Sequence, residues 1–318
     1  YKDVGNDYDN KGWGSVDKTT KCIVVKNFTK ALIDSNTVNM LNHWRPDSEQ
    51  IAIDNGIRLG TMLGRKLQIR GETRETKYSR KDSGRIDKRL ISELGFDNDR
   101  IFTQSFIDSY SDAFLHISVD ASGSMSGDKW TKTMTAVVAI TKACDMIQNV
   151  DVVVSFRSTQ GGGYSYRSSR SETRPIILIA YDSRKDSFTK VKTLFKYIST
   201  CGTTPEGLTF EAILEELIPT VRDKDSYFLN FSDGMPVFSN NNFHYRGREA
   251  VNHTKLMVDK IREKGIKVLS YYISGRGYYT DDATSNFKSM YGIDSKFIDV
   301  NSVVEVAKTM NKKFLEKN

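Results

Sequence analysis

The segment that most restricts the fold is 115-LHISVDASGSMSGDKW-130. Its first residues belong to a predicted buried strand, 112–119, which leads into Asp120, Ser122 and Ser124, and a stretch with helical spacing follows. Several strand patterns of the chain, such as 174-RPIILIAY-181, are continuous apolar runs, which are typical of strands buried on both faces of a sheet. The alternation of Asp, Ser and Ser would place three short oxygen side chains on one rim of a tight loop. "DASGS" alone would also fit a helix-capping loop, because Asp and Ser cap helices well.

Strand and helix patterns alternate through the rest of the chain beyond residue 110. The strand patterns cover 112–119, 150–156, 174–181, 225–232, 266–274 and 295–300. The helix patterns cover 128–148, 186–198, 206–221, 245–265, 281–292 and 302–317, and a flexible connection is expected over 157–173. This order predicts an α/β fold with a Rossmann-like, doubly wound, mostly parallel sheet covered by helices on both faces.

Oxygen-bearing side chains follow the predicted strands at one edge of that sheet. Besides the Asp120 loop, 199-STCGTTPEG-207 contributes Thr203 and Thr204, and 227-YFLNFSDGMPV-237 contributes Asp233. Ligands of doubly wound sheets bind at the carboxyl ends of the strands. Carboxylates and hydroxyls suit a hard divalent cation, so we expect Mg²⁺ there, or Mn²⁺ or Ca²⁺ in its place. Neutral hydroxyls would compensate the metal's charge only in part, which leaves it able to accept a carboxylate from a partner.

The motif D-x-S-x-S, a Gly-Thr-Pro-like loop and a later Ser-Asp-Gly resemble the metal-ion-dependent adhesion site of von Willebrand factor A (VWA) domains. This resemblance covers roughly residues 110 to 318. It implies the VWA fold and a metal bound directly or through water by Asp120, Ser122, Ser124, Thr204 and Asp233. Thr204 is preferred to Thr203 because the matching threonine commonly stands just before the proline.

A narrower resemblance concerns the cobaltochelatase CobT subunit and its phage-borne relatives. It is carried by 233-DGMPVFS-239 and 266-IKVLSYYISGRGYYTDDA-283, and less specifically by the basic stretch within 57–91. It implies a non-catalytic, metal-dependent protein-binding module that acts as partner of an AAA+ ATPase of the MoxR or chelatase type. The sequence contains no G-x-x-x-x-G-K-[ST] motif, so we do not expect it to hydrolyse ATP itself.

Two alternative functions remain open at this point. A metal-dependent hydrolase could use the same site, but it would need a nearby base, and His244 is the histidine best placed in the sequence to approach. A virion- or nucleic-acid-associated structural protein could instead use the basic segment 65–89, which holds ten Lys or Arg against four Asp or Glu. That segment would otherwise be a solvated linker or helix surface.

The sequence suggests a division into an N-terminal extension, 1–108, which includes the basic segment 65–89, and a VWA domain, 109–318. Helical spacing over 48–69 predicts a helix in the extension. Its glycines Gly56, Gly60 and Gly64 recur every four residues, which predicts close packing against another helix.

The composition indicates a folded protein without a predicted membrane-spanning segment. Apolar residues make up 38% and charged residues 27% of the 318 residues, as in folded proteins, and no apolar stretch approaches 18 residues. Three scattered cysteines argue against a disulfide framework, and the net charge of +7 allows an acidic partner. Scattered cysteines without paired spacing favour a reducing interior, so we expect a cytoplasmic or phage- or virion-associated protein.

Overall fold

The structure, a computed structural model, describes residues 2–6, 20–42, 47–71, 74–96, 98–108, 112–147, 150–161, 173–216, 224–240, 244–274 and 281–299. The predicted closing helix at 302–317 lies outside these residues. The described elements, in chain order, are β1 (Lys2–Asn6), β2 (Thr20–Val25), α1 (Lys30–Asp34), α2 (Asp47–Gly71), β3 (Arg74–Lys81), β4 (Arg85–Ile86), β5 (Phe102–Asp108), β6 (Ala113–Asp120), α3 (Asp128–Asp145), β7 (Val150–Gln160), β8 (Arg174–Asp182), α4 (Phe188–Val191), α5 (Glu206–Glu216), β9 (Asp225–Ser232), β10 (Phe238–Ser239), β11 (His244–Tyr245), α6 (Gly247–Glu263), β12 (Lys267–Ser274), α7 (Asp281–Tyr291) and β13 (Ser295–Asp299).

The central sheet has the strand order β1-β2-β8-β7-β6-β9-β12-β13. Strands β7, β6, β9, β12 and β13 are parallel to one another, and β8 is antiparallel to β7. From β6 the chain winds outward to β8 on one side and then returns to β9 on the other. This is the doubly wound order of Rossmann-like folds. The switch point lies beside β6, the strand from which the chain winds in both directions. The predicted fold class is confirmed.

Strand β6 occupies the middle of this sheet, and all eight of its residues are buried. Its side chains alternate between two cores. Leu115 and Ile117 face the core that includes α3, whereas Phe114 faces the core that includes α5, α6 and α7. Helices therefore cover both faces of the strand, which is why its polar residues His116 and Ser118 are buried as well.

The N-terminal region contributes directly to this architecture. Strand β2 pairs in parallel with β8, and α2 packs against α3. A Cβ added to Gly60 would lie 2.5 Å from the Ala139 carbonyl oxygen, and one added to Gly56 would lie 2.8 Å from that of Thr135. The glycines of α2 therefore permit a helix contact that no larger residue would allow, and the predicted close packing is confirmed.

Two local predictions are wrong. The strand expected at 150–156 continues to Gln160, because its antiparallel pairing with β8 extends into the segment 157–173 that was predicted to be a flexible connection. The helix expected over 186–198 is reduced to α4 and a short 3₁₀ turn. The backbone of Ser199 donates instead to the Met40 carbonyl, and Asn42 donates to the Tyr197 carbonyl, so hydrogen bonds to a distant segment replace helical ones.

The basic segment is neither a linker nor only a helix surface. Beyond the end of α2 it enters a small sheet of order β3-β5-β4. Two of its arginines are paired with carboxylates within the same region, Arg80 with Glu93 and Arg89 with Asp87, each at 2.8 Å. Part of its positive charge is therefore neutralised locally.

Candidate functional site: an oxygen-rich cluster at the switch point

Two carboxylates come together because β6 and β9 are parallel neighbours. Asp120 is the last residue of β6, and Asp233 directly follows the last residue of β9. The register pairs Val119 with Phe231, so the two strands end at the same level. The candidate site thus lies at the carboxyl edge of the sheet, at its switch point.

Asp120 is held by three donors. Its Oδ1 accepts a hydrogen bond of 2.8 Å from the backbone N–H of Ser122. Its Oδ2 accepts hydrogen bonds from the hydroxyls of Thr204, at 3.1 Å, and Ser232, at 3.3 Å. The carboxylate is therefore fixed in orientation by the loop after β6, the loop before α5 and the end of β9.

The serines of the first loop connect it to Asp233. The Ser122 and Ser124 hydroxyl oxygens lie 2.9 Å apart, and the Ser124 hydroxyl donates to Asp233 Oδ1 at 2.7 Å. Thr203, in contrast, is exposed, and its backbone N–H donates to the hydroxyl of Thr159. All five sequence-predicted residues thus belong to one hydrogen-bonded cluster, and Thr204 rather than Thr203 contributes the hydroxyl.

Backbone hydrogen bonds join the two hydroxyl-bearing loops. The N–H of Gly123 donates to the Gly202 carbonyl at 3.1 Å, and that of Cys201 donates to the Ala121 carbonyl at 2.8 Å. Gly202 has a φ of +62°, and a Cβ there would collide with the side chain of Thr159. Glycine is therefore required at this point of the loop.

Burial controls the electrostatics of Asp120. The side chain is fully buried, and burial raises its pKa to about 6. That value includes smaller contributions, because the Arg157 guanidinium and the Ser122 backbone N–H lower the pKa, whereas the neighbouring carboxylates Asp233 and Glu206 raise it. A cation at this edge would reduce the cost of keeping two carboxylates this close together.

Arg157 and Glu206 form a buried ion pair that the sequence analysis did not predict. Arg157 in β7 donates from Nη2 to Glu206 Oε1 at 2.6 Å, and both side chains are wholly inaccessible to solvent. Arg157 also donates to the Ser118 hydroxyl at 3.0 Å, and Asn230 donates to Glu206 at 3.1 Å. The sequence carries a partial signal, because Arg157 directly follows an apolar strand pattern, but the glycine- and serine-rich stretch that begins there predicts a loop.

A second missed residue is Lys129, in the first turn of α3. Its ammonium group directly contacts Asp233 Oδ2 and donates to the Ser124 carbonyl at 3.2 Å. Local sequence could not reveal this, since a lysine in the first turn of a helix ordinarily extends into solvent.

The histidines take no part in the described cluster. His244 is exposed and its Nδ1 lies 2.6 Å from the Ser239 hydroxyl, while His116 and His253 are buried. His43 lies outside the described residues. Within the part of the chain that the structure describes, no group of three or more His, Cys, Asp or Glu side chains could hold a metal. An ion here would depend on hydroxyl oxygens beside the two carboxylates.

The donor set fits a hard divalent cation. Every candidate ligand atom is an oxygen, and hydrogen bonds of 2.7 to 3.3 Å link the donors into one cluster. Hydroxyls that donate to a carboxylate keep lone pairs that can face a cation. Mg²⁺ is typically held by one or two carboxylates while it keeps several waters, which suits this small set.

Sheet order and site together define a doubly wound α/β protein with an oxygen-rich cluster at its switch point. No protein-family model matches the chain, and no curated protein matches it. None of the described helices is long and apolar enough to cross a membrane.

Among solved structures, the chain is similar to a pilus adhesin, SpaC, from Lactobacillus rhamnosus GG, with 14% identity and a TM-score of 0.48 over 66% of this chain. It spans 31% of that adhesin's length. It is also similar to the vWF domain of the type V pili tip protein Mfa5 from Porphyromonas gingivalis, with 10% identity and a TM-score of 0.47 over 66% of this chain and 99% of that one. A third similar structure is proximal thread matrix protein 1 from the mussel byssus, with 14% identity and a TM-score of 0.43 over 71% of this chain and 52% of that one.

Proposed function

We propose that this chain is a non-catalytic, VWA-type protein-binding module whose switch-point cluster holds a divalent metal, Mg²⁺ or in its place Mn²⁺ or Ca²⁺. The ligands, direct or through water, would be Asp120, Ser122, Ser124, Thr204 and Asp233. The observation that carries the proposal is the convergence of these five residues, from three separate loops, into one cluster joined by side-chain hydrogen bonds and the Ser122 backbone N–H.

The chemistry of such a site favours binding over catalysis. A metal held by two carboxylates and neutral hydroxyls would keep part of its charge uncompensated, so it can accept a carboxylate from a partner protein. Hydrogen bonds orient the site, because the Ser122 backbone N–H and the Thr204 and Ser232 hydroxyls hold the Asp120 carboxylate in place. Hydrolysis would need a positioned base as well, and His244 is bound to Ser239 instead.

For the partner, we propose an AAA+ ATPase of the MoxR or chelatase type, with a cytoplasmic or phage- or virion-associated location. This part rests on the sequence resemblance of 233-DGMPVFS-239 and 266-IKVLSYYISGRGYYTDDA-283 to the CobT-type subunit. The first of these segments begins at Asp233 and therefore at the candidate metal site.

Isothermal titration calorimetry tests the metal site. The native chain should bind Mg²⁺, Mn²⁺ or Ca²⁺ saturably, and Asp120→Asn, which removes the charge but preserves the volume, should lose most of the affinity. Asp186→Asn is a matched control, because Asp186 is exposed and lies outside the cluster. Equal binding by the native chain and Asp120→Asn would contradict the proposed site.

The partner is tested separately. A purified MoxR-type AAA+ ATPase should be retained on immobilised native chain in Mg²⁺, and retention should fall both in EDTA and with Asp120→Asn. Retention that is insensitive to both changes would show that binding does not use the metal site.

A further inference from the structure

The ammonium group of Lys129 occupies a position within the proposed metal site. It contacts Asp233 Oδ2 and the Ser124 carbonyl oxygen, and both residues belong to the proposed ligand set. The Asp233 side chain is 0% exposed, whereas that of Lys129 is 22% exposed. The lysine thus reaches from the protein surface to a buried carboxylate.

This contact stabilises Asp233 in the same way as a bound cation would. A buried carboxylate is costly unless an opposite charge or hydrogen bonds compensate it. Asp233 Oδ1 is satisfied by the Ser124 hydroxyl and Oδ2 by Lys129, so both oxygens are engaged. A divalent ion bound through Asp233 would lie close to the ammonium group, and the two like charges would repel each other.

The lysine can withdraw, whereas Asp120 is held in place. Lysine carries a compact charge on a flexible four-carbon stem, and this stem already extends from solvent. Asp120, in contrast, is fixed by three hydrogen bonds within the core. Exchange between the ammonium group and a metal ion would therefore involve one side chain and leave the loops in place.

We propose that Lys129 is a tethered cation that competes with the divalent metal for Asp233 and so sets the metal affinity of the site. The inference rests on the proposed function, since it assumes that the cluster binds metal. Lys129 would not be a ligand but a positioning residue: it holds the Asp233 carboxylate oriented toward the cluster and must withdraw when metal binds.

Titration calorimetry with Mg²⁺ and Mn²⁺ on four proteins tests this. Lys129→Met removes the charge and keeps the stem, and it should tighten binding by about tenfold or more, because the competing ion pair is partly buried. Lys129→Arg keeps the charge and should bind more weakly than Lys129→Met. Lys132→Met removes one charge three residues further along α3, at a position outside the proposed ligand set, and should change the affinity by less than about threefold, because interactions between charges weaken with distance and salt.

Thermal unfolding provides a readout that a purely structural role would not produce. In EDTA, Lys129→Met should unfold at a lower temperature than the native chain, because Asp233 loses its compensating charge. On addition of saturating Mg²⁺ its unfolding temperature should rise by more than that of the native chain, because tighter binding gives a larger shift. A structural defect would instead lower the unfolding temperature equally with and without metal.

The outcomes are distinguishable. Tighter binding by Lys129→Met, or binding by Lys129→Met when the native chain binds too weakly to detect, supports the competition. Metal binding by the native chain that Lys129→Met leaves unchanged or weakens overturns this inference alone. A lack of binding by all four proteins overturns the proposed metal site and this inference with it.

Discussion

The buried pair of Arg157 and Glu206 allows a sharp test of how the site is supported. Arg157→Met removes the guanidinium but retains an unbranched side chain in the same space. In the native chain this guanidinium donates to Glu206 at 2.6 Å, to Ser118 at 3.0 Å and to the Phe231 carbonyl at 3.3 Å. Both members of the pair are fully buried, so the substitution leaves the Glu206 carboxylate without its counter-charge in the core.

The expected loss in the free energy of unfolding of Arg157→Met follows from the burial of this ion pair. Breaking a buried ion pair by removing one partner typically costs about 3–5 kcal/mol, because the remaining charge is uncompensated. In the double variant Arg157→Met/Glu206→Gln no charge of the pair remains, and the introduced amide keeps an oxygen that can accept from Asn230, as the Glu206 carboxylate does in the native chain. We expect the double variant to lose only about 1–2 kcal/mol, the range for a few neutral hydrogen bonds.

Urea unfolding at pH 7 of the native chain, both single variants and the double variant would measure this. The coupling energy between Arg157 and Glu206 is the difference between the loss in the double variant and the sum of the losses in the two single variants. It should be about 2 kcal/mol or more. The exposed pair Arg80–Glu93, also joined by hydrogen bonds of 2.8 and 2.9 Å, is the matched control, and its coupling should stay below about 1 kcal/mol. Losses for Arg157→Met and Glu206→Gln that add within about 0.5 kcal/mol would refute the reasoning.

Two further predictions concern packing and pH. Gly60→Ala should lower the free energy of unfolding by about 1–3 kcal/mol despite alanine's better helix propensity, because its Cβ would meet the Ala139 carbonyl oxygen. Gly95→Ala, where no atom of the described residues lies within 4 Å of the added Cβ, is the control, and an equal effect at both sites in urea unfolding would contradict the packing argument. Burial lowers the pKa of His116 to about 3 from 6.5. The unfolded chain therefore binds a proton that the native chain excludes between those values, and the free energy of unfolding should fall as pH falls through 6.5, by about 2 kcal/mol at pH 5 from this group. Urea unfolding at pH 7, 6 and 5 should show a shallower loss for His116→Leu, and an identical pH dependence in that variant would exclude His116 as the cause.

Much of the fold and site could be predicted because the relevant signals are local. The segment 112–119 has the pattern of a buried strand, and the alternation of strand and helix patterns indicates a doubly wound sheet. In such a sheet, residues that follow neighbouring parallel strands share one edge, so the sequence alone predicts that Asp120 and Asp233 lie close together. The spacing of Gly56, Gly60 and Gly64 similarly predicted a close helix contact, because residues four apart share a helix face.

The tertiary structure decided what depends on partners distant in the chain. That β2 joins the sheet beside β8 is a pairing across about 150 residues, which no local pattern specifies. Local sequence places Arg157 in a loop, because its counter-charge, Glu206, approaches only through packing of α5. The contact between Lys129 and Asp233 could not be predicted for the same reason, since the two residues are 104 positions apart in the chain. Periodicity reports whether a position is buried, but the compensation of a buried charge depends on which distant groups the fold brings within hydrogen-bonding distance.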